Sequence, residues 1–479
     1  MSDPKRYLVN FPWIVFLAAV MLTGIGLLGI HSATLTTGPD GRTHTGAAVT
    51  TQCAWLLVGL VAMCLVLWPS YLRLGRWSYA IYALSIVPLV VLLAARHLGG
   101  IPYLVQARHG AYSWFTIPGT RNTLQPSELT KIAFIMVLAR YLTYRKSHRR
   151  PRGLVLPFLM ALLPTALVIR QPDLGTALMF IPVLLLMLIA AGARLRHLLA
   201  VIGVALLLAP IFYLKIDAYQ QRRIDTWLLA GPVEEFHMQR TAAERDDRHL
   251  SDAEKQAMID RFHGSPRVQL YLAVDAAKGW AGRHLPWLFS PPRTRSRLAA
   301  LGDRPDDPVG QQFLWRHWFV EELLSGPAYQ SRQAKVAVAS GGLTGAGLGR
   351  GSQTRNRLLA EARNDFIFAV IAEEWGFVGV LIVIVLYVVI IIFGVDVGLS
   401  TNEPFGKLLA VGVVALIAAQ AFLNMAITVG LMPVTGIPLP LMSYGGSSLV
   451  SAYIAVGLLC NVGLRRYVLD LPQPFEFKD

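Results

Sequence analysis

Ten apolar runs of bilayer-spanning length recur along this chain, at about 11–33, 52–72, 76–95, 126–144, 153–170, 174–192, 195–215, 364–394, 405–432 and 442–464. A helix needs about 20 apolar residues to cross the hydrocarbon core, and each run supplies them. Only 15% of the residues are charged and 54% are hydrophobic. A soluble domain carries about 25% charge, so a water-soluble fold is excluded. The pattern predicts an all-α polytopic membrane protein with about ten transmembrane helices. The first run is too long for a secretory signal, lacks a small-residue cleavage site, and is followed by another span.

Basic loops set the orientation. With a cytoplasmic N-terminus, RYLTYRKSHRRPR (140–152), GARLRH (192–197) and LRRY (464–467) all fall on the cytoplasmic side. An even number of spans then places both termini in the cytoplasm. Residues 217–332 hold 16 acidic and 16 basic side chains, so the net charge of +15 belongs to the membrane part. That excess fits inside-positive topology and contact with anionic membrane lipids. No basic helix or aromatic-basic stripe forms a soluble module, which argues against nucleic acid as a partner. Cys53, Cys64 and Cys460 make neither a disulfide framework nor a metal-ligand spacing, and read as apolar packing residues.

Three parts follow. Residues 1–215 carry spans 1–7, with a re-entrant or interfacial piece near 97–125. Residues 216–333 form a large extracytoplasmic loop between spans 7 and 8. Residues 334–479 carry spans 8–10 and a cytoplasmic tail. Inside the loop, Ser251 and Glu254 have the spacing of a capping box, predicting a helix over 251–262.

The polar, irregular strings gather on the outer side. They are LQPSELTK (124–131), RQPDLGTA (170–177), AYQSRQAKVAVASGGLTGAGLGRGSQ (328–353), EARNDFIFAVIAEEWG (361–376) and PVTGIPLPLMSYGGSSL (433–449). Each has a plain structural explanation. Glu128 and Lys131 are spaced to pair on one helix face. Asp173 and Asp365 are spaced to cap helices. Glu373 and Glu374 interrupt an apolar run, which makes them functional candidates by default. The glycines of 341–351 suit either a turn or backbone wrapped around an anion. Together, five polar strings on one face of an apolar scaffold describe an outward-facing cavity for an amphipathic substrate.

These strings resemble the SEDS family (shape, elongation, division, sporulation) of bacteria. QPSELTK, QPDLGTA, the AYQSRQAKVAVASGG run, LAEARNDFIFAVIAEEWG and GIPLPLMSYGGSS stand in the family's order across the membrane part. The resemblance implies a peptidoglycan glycosyltransferase that polymerises lipid II on the outer face of the bacterial cytoplasmic membrane, in elongation or division. It implies a class B penicillin-binding protein as partner. A non-catalytic scaffold for that partner, or a transporter of the lipid-linked precursor, are the competing readings. No cofactor is demanded by the residues; a divalent cation beside the diphosphate stays open.

The family's catalytic aspartate lies in a DPxGxGYQ string, from which this chain departs. RRIDTWL (222–228) resembles the entry to that loop and PAYQSRQAKVAVASGG its exit, with roughly 90 residues inserted between. Two carboxylates compete for the position: Asp307, within DDPVGQQF, and Glu322, within EELLSGPAYQ. Ser113 stands before Trp114 where the family has a basic residue, leaving Arg108 or Arg121 to supply the charge. Arg363 stands where the family has a histidine. By resemblance, Arg108, Arg121, Glu128, Lys131, Asp173, Gln330, Lys335, Glu361, Asp365, Ser443 and Tyr444 bind or orient the substrate.

Overall fold

The computed structural model describes residues 10–37, 43–44, 47–99, 101, 104–105, 112–117, 119, 122–145, 150–216, 218–245, 250–274 and 327–465. Each apolar run coincides with a helix: α1 (Trp13–Thr34), α2 (Ala48–Leu67), α4 (Ser78–His97), α5 (Pro126–Tyr144), α6 (Pro151–Arg170), α7 (Leu174–Ala190), α8 (Leu195–Lys215), α13 (Ile367–Leu399), α14 (Pro404–Thr428) and α15 (Gly446–Arg465). Between them lie α3 (Tyr71–Arg76), α9 (Ala218–Arg245), α10 (Asp252–Gly264), α11 (Pro327–Ser340) and α12 (Ser352–Arg355).

Among the described residues, eight helices are long and apolar enough to cross a membrane, rather than ten. The remaining two fall short for separate reasons. Helix α7 has 17 residues. Helix α5 carries Glu128, Lys131 and Arg140, and the first two of these are buried inside the protein rather than turned to lipid. The side chains turned outward on the spanning helices are apolar, as on Leu57, Val61 and Leu65 of α2. In a bilayer this is the favourable arrangement, since apolar side chains meet the lipid while a helix satisfies most of its backbone polar groups internally.

The chain divides into two compact units. The first comprises residues 1–199, 336–426 and 435–479, and the second 200–335 with 427–434. In the first, α15 packs chiefly on α2 and α13 on α1. The α2–α15 approach is close because a Cβ on Gly59 would meet the Tyr453 ring at 3.1 Å, and one on Gly457 would meet Met63 at 3.0 Å. Small residues at helix crossings are how spans associate without a hydrophobic driving force. Two-residue strands β1 (Thr36–Thr37) and β2 (Thr43–His44) pair antiparallel. So do β3 (Phe115–Thr116) and β4 (Thr123–Leu124), which belong to the expected non-spanning piece. Val105, Ile101, Tyr112 and Phe115 of that piece pack on Leu92 and Ala95 of α4.

The second unit has its own small core. Leu229, Val233 and Phe236 of α9 meet Met258, Ile259 and Phe262 of α10, with Val268. Phe236 and Phe262 stand edge to face at 5.8 Å. The capping box at the start of α10 is formed: Glu254 N–H donates to Ser251 Oγ at 3.3 Å, and Ser251 N–H to Glu254 Oε2 at 2.9 Å. The cysteines are unpaired; Cys460 is buried, whereas Cys53 and Cys64 are exposed on α2 rather than packed.

Helix α13 is broken at Gly376, where φ is 65° and ψ is −159°. The carbonyls released by that break do not go unsatisfied. Glu373 O accepts from Ala346 N–H at 3.0 Å and Glu374 O from Gly347 N–H at 2.9 Å. In return Phe377 N–H donates to Gly342 O at 2.9 Å and Val378 N–H to Leu343 O at 3.1 Å. The approach leaves no room for a side chain, since a Cβ on Gly341 would stand 1.8 Å from Ala372 O. At Ala346 and Gly347 the loop's N–H groups therefore serve the break in α13 and not an anion.

Candidate active site

Three of the polar strings converge at the N-terminal ends of α5, α7 and α15. Pro126 opens α5, where its missing N–H costs nothing. Gln125 just before it donates from Nε2 to Asp173 Oδ2 at 2.6 Å. Asp173 caps α7 by accepting from Thr176 N–H at 3.1 Å. Gln125 also donates its backbone N–H to Ser447 Oγ at 2.8 Å, and Ser447 is the second residue of α15. One turn on, Ser451 Oγ donates to Glu128 Oε2 at 3.0 Å, while Lys131 Nζ donates to Glu128 Oε1 at 2.9 Å. Glu128 and Lys131 are 2% and 3% exposed, so this ion pair lies out of water. A buried charge stays ionised only when paired and hydrogen-bonded, and Ser451 supplies the additional bond.

Asp173 sits just outside α7. Burial pushes its carboxyl above the ordinary aspartate range, against the lowering effect of its two hydrogen bonds with Thr176. Glu128 adds a smaller upward push and Lys131 a downward one. Three helix N-termini linked by hydrogen bonds concentrate positive partial charge. Such an arrangement favours negative charge, and here the carboxylates of Asp173 and Glu128 share the region with Lys131.

The string 436–445 is irregular backbone that is largely buried in protein. Its carbonyls are met by side-chain donors from the surrounding helices. Asn424 donates to Ile437 O at 2.7 Å, Gln420 to Pro438 O at 3.1 Å, Tyr387 to Pro440 O at 2.5 Å and Gln52 to Ser443 O at 3.1 Å. Asn424 also reaches Asp365 O at 2.8 Å. Ser443 is committed internally: its hydroxyl accepts from Leu439 N–H at 2.8 Å and donates to Asn364 O at 2.5 Å. Tyr444 donates its N–H to Arg363 O at 2.8 Å, and the Arg363 guanidinium lies 4.9 Å from the Tyr444 ring centre. Glu361 is exposed and bonded to Asn364. Arg357, Glu361 and Leu441 all have φ between 52° and 69°, unfavourable backbone for residues with a Cβ. Such strain clusters at functional sites.

The two glutamates inside the apolar run have structural partners. Glu373 accepts from Gln353 N–H at 2.6 Å, Thr354 N–H at 3.1 Å and Thr354 Oγ1 at 2.7 Å, and so caps α12. Glu374 accepts from Ser32 of α1.

The second unit holds Gln330 and Lys335, both on α11. Lys335 pairs with Glu234 of α9. Asp307, Glu322, Arg108 and Arg121 lie outside the described residues. Sequence reasoning passed over Gln125, Ser447, Ser451, Asn424 and Glu234 as site residues. Ser447 and Ser451, four apart at a helix start, carried a readable signal of one polar face.

The fold and these contacts define a multi-pass helical membrane protein in which three polar motifs meet in one network. The chain belongs to the FtsW/RodA/SpoVE family. The family model described as "Cell cycle protein" matches residues 12–235 and 294–467. The chain is 31% identical to the peptidoglycan glycosyltransferase RodA of Treponema pallidum over 472 residues, covering 96% of this chain and 99% of that protein. It is 30% identical to a probable peptidoglycan glycosyltransferase FtsW of Geobacter metallireducens, covering 95% of each. It is 27% identical to stage V sporulation protein E of Bacillus subtilis, covering 94% and 95%. A chain of a peptidoglycan synthase complex that coordinates polymerization and crosslinking superposes with a TM-score of 0.60 at 23% identity, over 95% of this chain and 98% of that one. Thermus thermophilus RodA superposes at 0.53 with 21% identity, over the same shares. Those likenesses show the fold. The family match is interrupted only over 236–293, so the unmatched stretch is shorter than the roughly 90 residues expected from the motifs.

Proposed function

We propose that this chain is an inverting peptidoglycan glycosyltransferase. It polymerises lipid II on the outer face of the bacterial cytoplasmic membrane, with both termini in the cytoplasm. The observation that carries the reading is the meeting of three helix N-termini around Gln125, Asp173, Ser447 and the Glu128–Lys131 pair. Positive helix ends and a lysine suit an anionic diphosphate. The names of the relatives, and the synthase-complex neighbour, support the same chemistry and a class B penicillin-binding protein as partner.

Direct displacement at the anomeric carbon forms a bond to the acceptor hydroxyl oxygen and breaks the bond to the diphosphate oxygen. A carboxylate takes the hydroxyl proton, and the diphosphate leaves with the electron pair. Asp307 or Glu322 fills the role of base in this proposal. Lys131, with Arg108 and Arg121, serves the departing negative charge. Glu128 orients Lys131, and Asp173, Glu361, Asp365 and Tyr444 stand along the substrate path. Ser443 holds the backbone of its own segment.

The test is polymerisation of labelled lipid II by the purified full chain, alone and with its cognate penicillin-binding protein. Asp307→Asn and Glu322→Gln are run beside the wild type. Glycan strands abolished by one substitution name the base. No strands from the wild type, with the partner bound, would leave the scaffold reading in place.

A further inference from the structure

Lys131 and Lys335 are paired in different ways. Lys131 has its partner three residues away on the same helix, and both are buried. Lys335 has a partner 101 residues distant, and both of its side chains keep water contact, at 32% and 25% exposure. Its Nζ lies 2.6 Å from Oε1 and 2.8 Å from Oε2 of Glu234, so one carboxylate faces the ammonium with both oxygens. The first pair is a fixture; the second is exchangeable, because half-exposed pairs are weak.

Helix α9 is built to present that carboxylate. Trp227 and Glu234 are seven residues apart, hence on one helix face. Trp227 Nε1 donates to Gly430 O at 3.3 Å, while the Lys335 stem lies along Gly430, where a Cβ would meet its Cδ at 3.0 Å. Glu234, Trp227, Gly430 and Lys335 all belong to the second unit. Pro232 lies inside α9 between Trp227 and Glu234. It removes one helical hydrogen bond and loosens the turn that carries Glu234 relative to the turn anchored by Trp227.

We propose that Glu234 is a displaceable occupant of an anion site at Lys335. Its carboxylate stands where a phosphate group of the lipid-linked substrate binds, and loading exchanges one for the other. A diphosphate carries more charge and more acceptor oxygens than one carboxylate, so the exchange runs forward when substrate arrives. This inference rests on the glycosyltransferase reading for its substrate, but its geometry is independent of it.

The experiment compares full-length wild type, Glu234→Gln, Lys335→Gln and the double variant, with the cognate penicillin-binding protein. Glutamine keeps the shape of Glu234 and removes its charge. In Glu234→Gln the KM for lipid II falls about two- to fivefold, the scale on which half-exposed pairs act, with the change in KM rather than kcat. The double variant shows no such fall relative to Lys335→Gln. A second arm needs no turnover: Lys335 is labelled with a neutral amine-acylating reagent, mapped by peptide mass, while inorganic pyrophosphate is titrated as protectant. Glu234→Gln labels faster than wild type and is protected at lower pyrophosphate. A rise or no change in KM, or equal labelling and protection, overturns the proposal. Absence of glycan from wild type sinks the glycosyltransferase reading instead, and the labelling arm still decides the role of Glu234.

Discussion

Ser451 of α15 and Glu128 of α5 are joined by a 3.0 Å hydrogen bond, and that bond completes the solvation of a carboxylate whose other oxygen holds Lys131. Removing one member of a buried pair strands the other charge. Lys131→Met is expected to destabilise the protein by about 3–5 kcal/mol, because Glu128 is then left without a counter-charge. Lys131→Met with Glu128→Gln recovers a large part of that loss. Ser451→Ala costs about 1–3 kcal/mol, the scale of a hydrogen bond to a charged group. Thermal unfolding of the detergent-purified chain reads all three. Equal melting temperatures for Lys131→Met and wild type would contradict the pairing.

The glycine loop and the break in α13 interlock, so they should fail together. A Cβ on Gly345 would stand 2.1 Å from Glu374 O, and one on Gly376 would stand 2.4 Å from Gly345 N. Both residues also have positive φ, which adds about 1–2 kcal/mol of strain for any other residue. Gly345→Ala and Gly376→Ala are each expected to abolish monodisperse protein on size-exclusion chromatography. Gly342→Ala, which has open space around it but a φ of 55°, should lose only the strain and remain monodisperse.

Asn424 ties two backbone segments together through Asp365 O and Ile437 O. Asn424→Ala leaves two carbonyls without this donor, at about 1–3 kcal/mol each. The effect should be local before it is global. Hydrogen exchange of amides over 436–446 and 361–366 is expected to accelerate, while α2 and the C-terminal half of α15 stay protected. Uniform acceleration across the chain would argue against a local tie.

The spans were legible because bilayer thickness imposes a length and a composition on each one separately. The α10 capping box was legible because Ser251 and Glu254 are three residues apart. What escaped was set by partners distant in sequence. Nothing near Glu373 announces that it caps α12, and nothing near Lys335 names Glu234. The glycines of 341–351 suit an anion cradle and a helix break equally well until Gly376 is seen against them. Ser443 looks like a ligand-binding hydroxyl in its string, yet Asn364 and Leu439 use it. Asp307 and Glu322 are separable only by chemistry on the protein itself.

Asp173 gives the remaining prediction. Burial raises its carboxyl above the ordinary value of 3.8, so between 3.8 and the raised value the folded chain holds a proton that the unfolded chain has released. Stability then falls as pH rises through that window. The contribution is fully present below the ordinary value and is lost once pH passes the folded one. Asp173→Asn removes the titration while keeping a capping oxygen for Thr176, since asparagine caps about as well as aspartate. The melting temperature of wild type minus that of Asp173→Asn is therefore expected to be highest below pH 3.8 and to decline as pH increases. A difference that grows with pH would mean that Asp173 is held ionised, with the Gln125 and Thr176 donors outweighing its burial.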